Sequence, residues 1–231
     1  YLNNFMKNLT LVIPAKNEKD CLPQVLDELK EFECKKLIVV DKYDIGTIDS
    51  IKNKDCEILE QKTSGYGNAI IEGINYVQTP FLCIFNADGS FDPKDLNKMY
   101  DLNKNQKDFV FASRYTKNSG TKDDTIITFI GNKFFSFLGN FFFNLKISDI
   151  LFTYLMGKSE RFKNLKLKSP DFRICVEMPI KINKYGFSYG TIGSYEKKRI
   201  GGNKKVNEFY DGMLILIEMI RLLFFKVKKN D

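Results

Sequence analysis

The chain has 231 residues, 43% hydrophobic and 28% charged, a composition that places it among globular proteins and argues for one sizeable domain. It contains no histidine. That excludes Ser-His and Cys-His nucleophile systems, His-ligated zinc and imidazole acid–base chemistry, so any reaction must run on carboxylates, Lys, Arg, Tyr, a thiol or a bound metal. The net charge of +7 favours anionic partners such as nucleotide phosphates or an anionic membrane surface. Nucleic acid is not expected, because the 21 phenylalanines gather in apolar runs instead of interleaving with basic residues as stacking platforms would.

The five cysteines, Cys21, Cys34, Cys56, Cys83 and Cys175, are isolated and odd in number, which suggests neither a disulfide framework nor a zinc knuckle. Reduced thiols in the cytoplasm are the expected state. No secretory signal or uninterrupted membrane-spanning run is expected either.

In chain order, residues 9–13 read as a strand and 20–31 as an amphipathic helix. Residues 37–40 form a second strand ending at Asp41, and 57–60 a third, followed by a helix over 67–77. Residues 81–85 are a continuous apolar run of the buried-strand kind. Asp92 then caps a helix with Pro93 at its first position, and 109–112 give a further strand. Strands alternating with helices imply an α/β fold, a mostly parallel sheet with helices on both faces. Ligands bind such sheets at the carboxyl ends of the strands. Four polar clusters, at residues 14–18, 41–47, 86–90 and 113–115, converge on that rim.

The second half differs. "IITFIGNKFFSFLGNFFF" at 126–143 is an apolar helical stretch interrupted by Gly131, Asn132, Lys133 and Asn140, and "GMLILIEMIRLLFFKVKK" at 212–229 is apolar apart from Glu218 and Arg221 until it ends in lysines. Each reads as a helix packed on the core or as one lying at a membrane interface with its basic end on anionic lipid.

Two motifs invite chemistry. "SGYGNAI" at 64–70 follows a strand and opens a helix but lacks the third glycine of a dinucleotide fingerprint. Its glycines imply close approach of backbone at a helix start suited to anions. In "NADGS" at 86–90, Asn86 and Asp88 are spaced i, i+2, which in an extended strand end puts both on one side. That suits either a hard cation held jointly with substrate phosphates or a plain polar turn.

The ordered set "VIPAKNEKDCLPQVLDEL", "LIVVDKYDIGT", "GYGNAIIEG", "FNADGSFDP" and "FASRY", with "ISDILFTYLMGKSE" and "YEKKRIGGNKKV" in the second half, resembles the family-two glycosyltransferases of the type A fold. It is most similar to the branch of dolichol-phosphate mannose synthase and polyprenyl-phosphate glycosyltransferases. The resemblance covers nearly the whole chain and implies a single catalytic domain, with a nucleotide-sugar half at 1–120 and an acceptor half at 121–231 carrying a C-terminal amphipathic helix. It departs from the pattern at "DKYDIGT", one residue shorter with Lys42 for an Asp, and at Asn86, which replaces the first Asp of an Asp-x-Asp.

The resemblance implies transfer of a hexose, with inversion, from a nucleotide-diphosphate sugar. Pro14, Ala15, Asn17, Glu18 and Asp41 would hold the nucleoside, and Gly65, Gly67 and Asn68 would admit it against the backbone. Asp88, with Asn86 and Ser90, would carry Mg²⁺ or Mn²⁺ against the diphosphate. Arg114 and Arg199 would pair phosphate oxygens, Lys204 and Lys205 would assist, and Asn132 would face the acceptor. A sugar hydroxyl needs a base to attack, whereas a phosphate monoester is largely dianionic near neutrality, its second pKa being about 6. Without histidine, a polyprenyl phosphate at the cytoplasmic membrane face is the expected acceptor. A hydroxyl acceptor on a glycan or glycolipid, with Asp149 as base, and a degenerate non-catalytic scaffold stay open.

Overall fold

The computed structural model describes residues 5–201 and 207–227. In chain order these form β1 (Phe5–Ala15), α1 (Leu22–Glu28), β2 (Glu33–Asp41), α2 (Ile45–Ser50), β3 (Glu57–Gln61), α3 (Tyr66–Tyr76), β4 (Phe81–Ile84), α4 (Asp95–Asn105) and β5 (Phe109–Ser113). The second half adds β6 (Gly120–Thr121), α5 (Ile126–Phe143), β7 (Leu155–Lys158), α6 (Ser159–Asn164), α7 (Ile174–Lys184), β8 (Tyr189–Gly193), β9 (Tyr195–Glu196) and α8 (Glu208–Leu223). Seven strands make one sheet in the order β3-β2-β1-β4-β7-β5-β8. Only β7 runs against its neighbours; every other pairing in it is parallel. β6 and β9 form a separate two-stranded ribbon.

The strands are apolar on both sides because both faces are covered. Leu11, Ile13, Ile38, Val40, Cys83 and Phe85 pack with α1 and α4, while Val12, Leu37, Val39, Leu82 and Ile84 pack with α3 and α5 to α8. The expected helix at 20–31 starts at Leu22 and ends in a 3₁₀ turn over Leu29–Glu31. The helix expected from Pro93 begins at Asp95 instead. Asp92 accepts from the Lys94 amide, and a turn closed by Asp95 N on Asp92 O and Leu96 N on Pro93 O precedes the helix.

The polar residues within 126–143 do not break α5. A capping box of Thr125 and Thr128 starts it, and Asn132, Ser136 and Gly139 face inward where small or hydrogen-bonded side chains fit. By length and composition α5 could cross a membrane, yet its inward stripe packs on the domain. Its other face, with Ile126, Ile130, Phe137 and Phe141, is exposed. So is that of α8, with Phe209, Met213, Ile217 and Ile220.

Helix α7 holds this half together. Its Glu177, fully buried, accepts from the Lys168 and Ser169 amides and pairs with Lys181 Nζ at 2.7 Å. At its end Asn183 donates to Phe143 O at the close of α5, and Lys184 Nζ donates to Leu222 O at the close of α8. Burial pushes the Glu177 carboxyl up, but the Lys181 bond and charge and the two amides outweigh it and hold the group below the usual carboxylate range. The sign follows: this stability is present above the unfolded-state pKa, about 4.5, and is lost as pH falls through the lower folded value. Glu177→Gln leaves Lys181 buried beside a neutral group and is expected to lower unfolding free energy at pH 7 by about 2–4 kcal/mol. In urea titrations the gap to the unsubstituted chain should narrow below pH 4.

Candidate active site

The carboxyl ends of β1, β2, β3 and β4 open on a cavity of about 540 Å³, a size suited to a nucleotide-sized ligand. The first half contributes Pro14, Ala15, Asn17, Glu18, Asp41, Gln61, Gly65, Tyr66, Asn86 and Asp88 to its lining. The second half contributes Phe152, Thr153, Phe172, Glu196 and Arg199, so residues far apart in sequence meet there.

The turn at 86–90 is held from below by aromatic packing. Phe91 stacks on Tyr154 with centroids 4.5 Å apart, Phe85 meets both edge-on, and Tyr154 Oη donates to Asp92 O at 3.0 Å. Gly89 makes the bend at φ +78°, and a Cβ there would lie 2.4 Å from Ile200 Cδ1. The segment carrying Ile200 lies directly over the turn: Ile200 N donates to Asp88 O at 2.9 Å and Lys197 N to Ser90 O at 2.8 Å.

Asp88 and Asn86 both line the cavity. Ser90 does not, and its role differs from that of a metal ligand: it is 1% exposed and both its amide and its hydroxyl donate to Asp88 Oδ1, at 3.0 and 2.7 Å. It orients Asp88 and leaves Oδ2 toward the cavity side, where Arg199 Nη2 stands 3.8 Å away. Among the described residues no three His, Cys, Asp or Glu side chains form a ligand set. One carboxylate and one amide oxygen fit Mg²⁺ or Mn²⁺ in the manner of sites that take most of their remaining ligands from substrate phosphates and water.

Arg114 lines the cavity but is not a free phosphate clamp. Four of its five N–H donors are engaged: Nε and Nη2 bind Asp149 at 2.8 and 2.9 Å, and Nη1 binds Asp124 at 3.1 Å and Glu196 at 3.0 Å. Its Cζ lies over the Phe152 ring, 4.6 Å from the centroid. Three carboxylates from separate parts of the chain thus close on one guanidinium, which they hold firmly charged against the cost of burial.

Asp149 cannot serve as the base that a hydroxyl acceptor needs. It is 1% exposed, lies outside the cavity lining, and both oxygens accept twice, from Arg114 Nε, Nη2 and backbone N and from Asn132 Nδ2. Asn132 is itself buried and engaged with Asp149, so it supports the network and does not face an acceptor. Arg199 does reach the cavity mouth, where Asp123 accepts from Nη2 at 2.7 Å and raises its pKa.

The glycines at 65 and 67 admit protein. A Cβ at Gly67 would lie 2.1 Å from Ser169 O and one at Gly65 2.3 Å from Pro170 O, and Asn68 N donates to Pro170 O at 3.1 Å. Gly65 lines the cavity; Gly67 and Asn68 do not. Lys204 and Lys205 lie outside the described residues. Around the cavity's other polar groups, Asn17 N donates to Asp44 Oδ2 at 2.6 Å and Glu18 N to Thr47 Oγ1 at 2.9 Å, which ties the rim of β1 to the start of α2.

Glu196 joins the site although no sequence motif marks it. Its Oε2 takes Arg114 and Thr121, its Oε1 has no partner among the described residues, and burial, against the pull of Arg114, raises its pKa. A lone acid at the head of the basic run "YEKKRIGGNKK" was the available signal. Cys175 also lines the cavity, but burial pushes its thiol up to about 12, which removes it as a nucleophile at neutral pH.

The family described as Glycosyl transferase family 2 matches residues 10–166. The chain belongs to that family. Glycosyltransferase AglJ of Haloferax volcanii is 24% identical over 215 residues, covering 91% of this chain and 70% of AglJ. An uncharacterized glycosyltransferase of Mycobacterium tuberculosis, Rv0539, is 30% identical over 91 residues, 39% of this chain and 41% of its own length. Among solved structures, glucosyl-3-phosphoglycerate synthase from Mycobacterium tuberculosis, in complex with Mn²⁺, UDP and glucosyl-3-phosphoglycerate, superposes with TM-score 0.75 at 10% identity over 96% of this chain and 82% of that one. Mannosyl-3-phosphoglycerate synthase from Rubrobacter xylanophilus gives 0.65 at 15% identity over 93% and 72%. These likenesses establish the type A glycosyltransferase fold.

The Arg114 network yields a direct prediction. Arg114→Lys replaces a fork that reaches three carboxylates with one ammonium and leaves Asp149 buried with fewer donors. Urea unfolding should show a loss of about 3–5 kcal/mol.

Proposed function

We propose that this family 2 glycosyltransferase moves a hexosyl group, with inversion, from a nucleotide-diphosphate sugar to a polyprenyl phosphate at the cytoplasmic face of a membrane. The observation that carries the reading is a nucleotide-sized cavity lined by Asp88 and Arg199 and joined, from Arg114 through Asp149 to Asn132, to α5, which like α8 exposes an apolar face. Mg²⁺ or Mn²⁺, when bound, would neutralise the leaving diphosphate as a Lewis acid. Asp88 would hold that ion with help from Asn86, while Ser90 fixes its rotamer. Arg199, released from Asp123 in part, would pair a phosphate oxygen at the mouth.

Residues 1–120 supply the nucleotide side and residues 121–231 the acceptor side of this cavity. A dianionic phosphate acceptor needs no proton removed, which suits a site whose Asp149 is saturated by donors. The apolar faces of α5 and α8, with Lys226 three residues past the end of α8, would lie in the interface of an anionic bilayer and bring the lipid acceptor to the mouth. A hydroxyl acceptor is the second reading, and Glu196 Oε1 favours it as the carboxylate oxygen placed to act as base.

Transfer of labelled hexose from a panel of nucleotide sugars into an organic-extractable product, with polyprenyl phosphate and Mn²⁺, tests the proposal. Asp88→Ala should lower kcat/KM by about 10³-fold or more. Glu196→Gln should leave kcat within about tenfold for a phosphate acceptor, whereas a loss of the order of 10²–10⁴ with unchanged donor affinity would identify a base and a hydroxyl acceptor. No transfer to any lipid phosphate, with transfer to 3-phosphoglycerate, would place the acceptor among small phosphates. In flotation assays the chain should rise with vesicles containing anionic lipid, and Phe137→Glu with Ile217→Glu should abolish that.

A further inference from the structure

On the side of β1 away from Asp88, Asp41 and Gln61 end the adjacent parallel strands β2 and β3. They are register partners, and both line the cavity. Partners in register on neighbouring strands lie about 4.8 Å apart and point to the same face of the sheet.

Their hydrogen-bonding capacity toward a ligand is one-sided. Gln61 Nε2 donates to Thr63 O at 2.5 Å and to Gly65 O at 2.8 Å. Both amide hydrogens are therefore engaged. The flipped amide would set its oxygen against two carbonyls, so the orientation is fixed by its neighbours and Oε1 is the atom left to meet a ligand. Asp41 Oδ1 accepts from Tyr43 N at 2.9 Å, and Oδ2 has no partner among the described residues. A carboxylate and an amide oxygen side by side present acceptors and no donor.

We propose that Asp41 and Gln61 select the nucleobase of the sugar donor, and that the base they select is guanine. This rests on the reading of the cavity as a nucleotide-sugar site. Guanine carries its N1–H and its exocyclic amine next to each other on one edge, two donors for two acceptors. Uracil presents a single N3–H flanked by two carbonyl oxygens, so satisfying one acceptor sets a carbonyl against the other. Adenine and cytosine each place an exocyclic amine beside a ring nitrogen that accepts, with the same mismatch. Sites built to hydrogen-bond a substrate reject analogues lacking the matching group more strongly than apolar pockets do, because their polar atoms are left unpaired. The inference sets this chain apart from the solved glucosyl-3-phosphoglycerate synthase, whose complex holds UDP.

Calorimetric titration of the full chain with GDP, IDP, UDP and ADP, each with Mn²⁺, tests it. GDP should bind at least about tenfold more tightly than UDP or ADP, with IDP, which lacks the amine, in between. Asp41→Asn puts a donor where an acceptor stood and should erase the preference for GDP while improving binding of xanthosine diphosphate, in which a carbonyl replaces the amine. UDP binding as tightly as GDP overturns the inference. So does an equal weakening of GDP and UDP in Asp41→Asn, which would put the carboxylate on the ribose common to both. Binding of no nucleoside diphosphate overturns the nucleotide-sugar reading itself, and the base selection with it. The comparison of GDP with UDP on the unsubstituted chain decides the matter even if the variant does not fold.

Discussion

One buried guanidinium sets the geometry of the rim. Arg114 leaves the end of β5 and meets Asp124 from the start of α5, Asp149 from the segment before β7, and Glu196 from β9. A buried ion pair is rarely a net source of stability against an apolar alternative, but once its members are in place the removal of one leaves an uncompensated charge. Such a network therefore fixes arrangement more than it adds free energy. Asp149 passes the constraint to Asn132 on α5, and Glu196 passes it through Thr121 to the β6–β9 ribbon. The chain leaving β9 then lies over the turn at 88–90 through Lys197 N and Ile200 N. Asp88, Arg199 and the cavity mouth are thus coupled to a cation that is itself almost wholly committed to protein.

A second support reaches the same cavity from the opposite direction. The segment 169–172, ordered by Glu177, presses against Gly65 and Gly67 and brings Phe172 to stack on Tyr66 at 4.9 Å. The same helix α7 fastens the ends of α5 and α8. The apolar faces proposed to meet a membrane and the wall of the substrate cavity consequently share one rigid element, an arrangement suited to presenting a lipid-borne acceptor to a fixed donor.

Much of the fold was legible because its main strands are long apolar runs bounded by polar clusters, and parallel, doubly covered strands must look that way. β7 and β8 were not. Leu155–Lys158 is four residues with a glycine, and Tyr189–Gly193 carries two glycines and a partly exposed pattern, so neither shows a period. The place of Asn132 within α5 was illegible for a related reason: it is an inward-facing member of a network, with Ser136 and Asp149, that only the fold assembles. In the site, the clusters at the ends of β1, β2 and β4 were legible since the chain itself carries them to one rim. Side-chain partnerships were not. Nothing in a spacing of 35 residues tells that Arg114 and Asp149 neutralise each other, and the glycines at 65 and 67 signal close approach without saying that the chain at 169–171 is what approaches.

The proposed activity depends on the cavity binding a nucleoside diphosphate through a cation held at Asp88. Calorimetry of the folded chain with nucleoside diphosphates, in Mn²⁺ and again after chelation, and repeated on Asp88→Asn, measures this directly. Binding should saturate in Mn²⁺ and weaken by about tenfold or more on chelation and in the variant. Equal affinity with and without the metal, or an unaltered isotherm for Asp88→Asn, would contradict it.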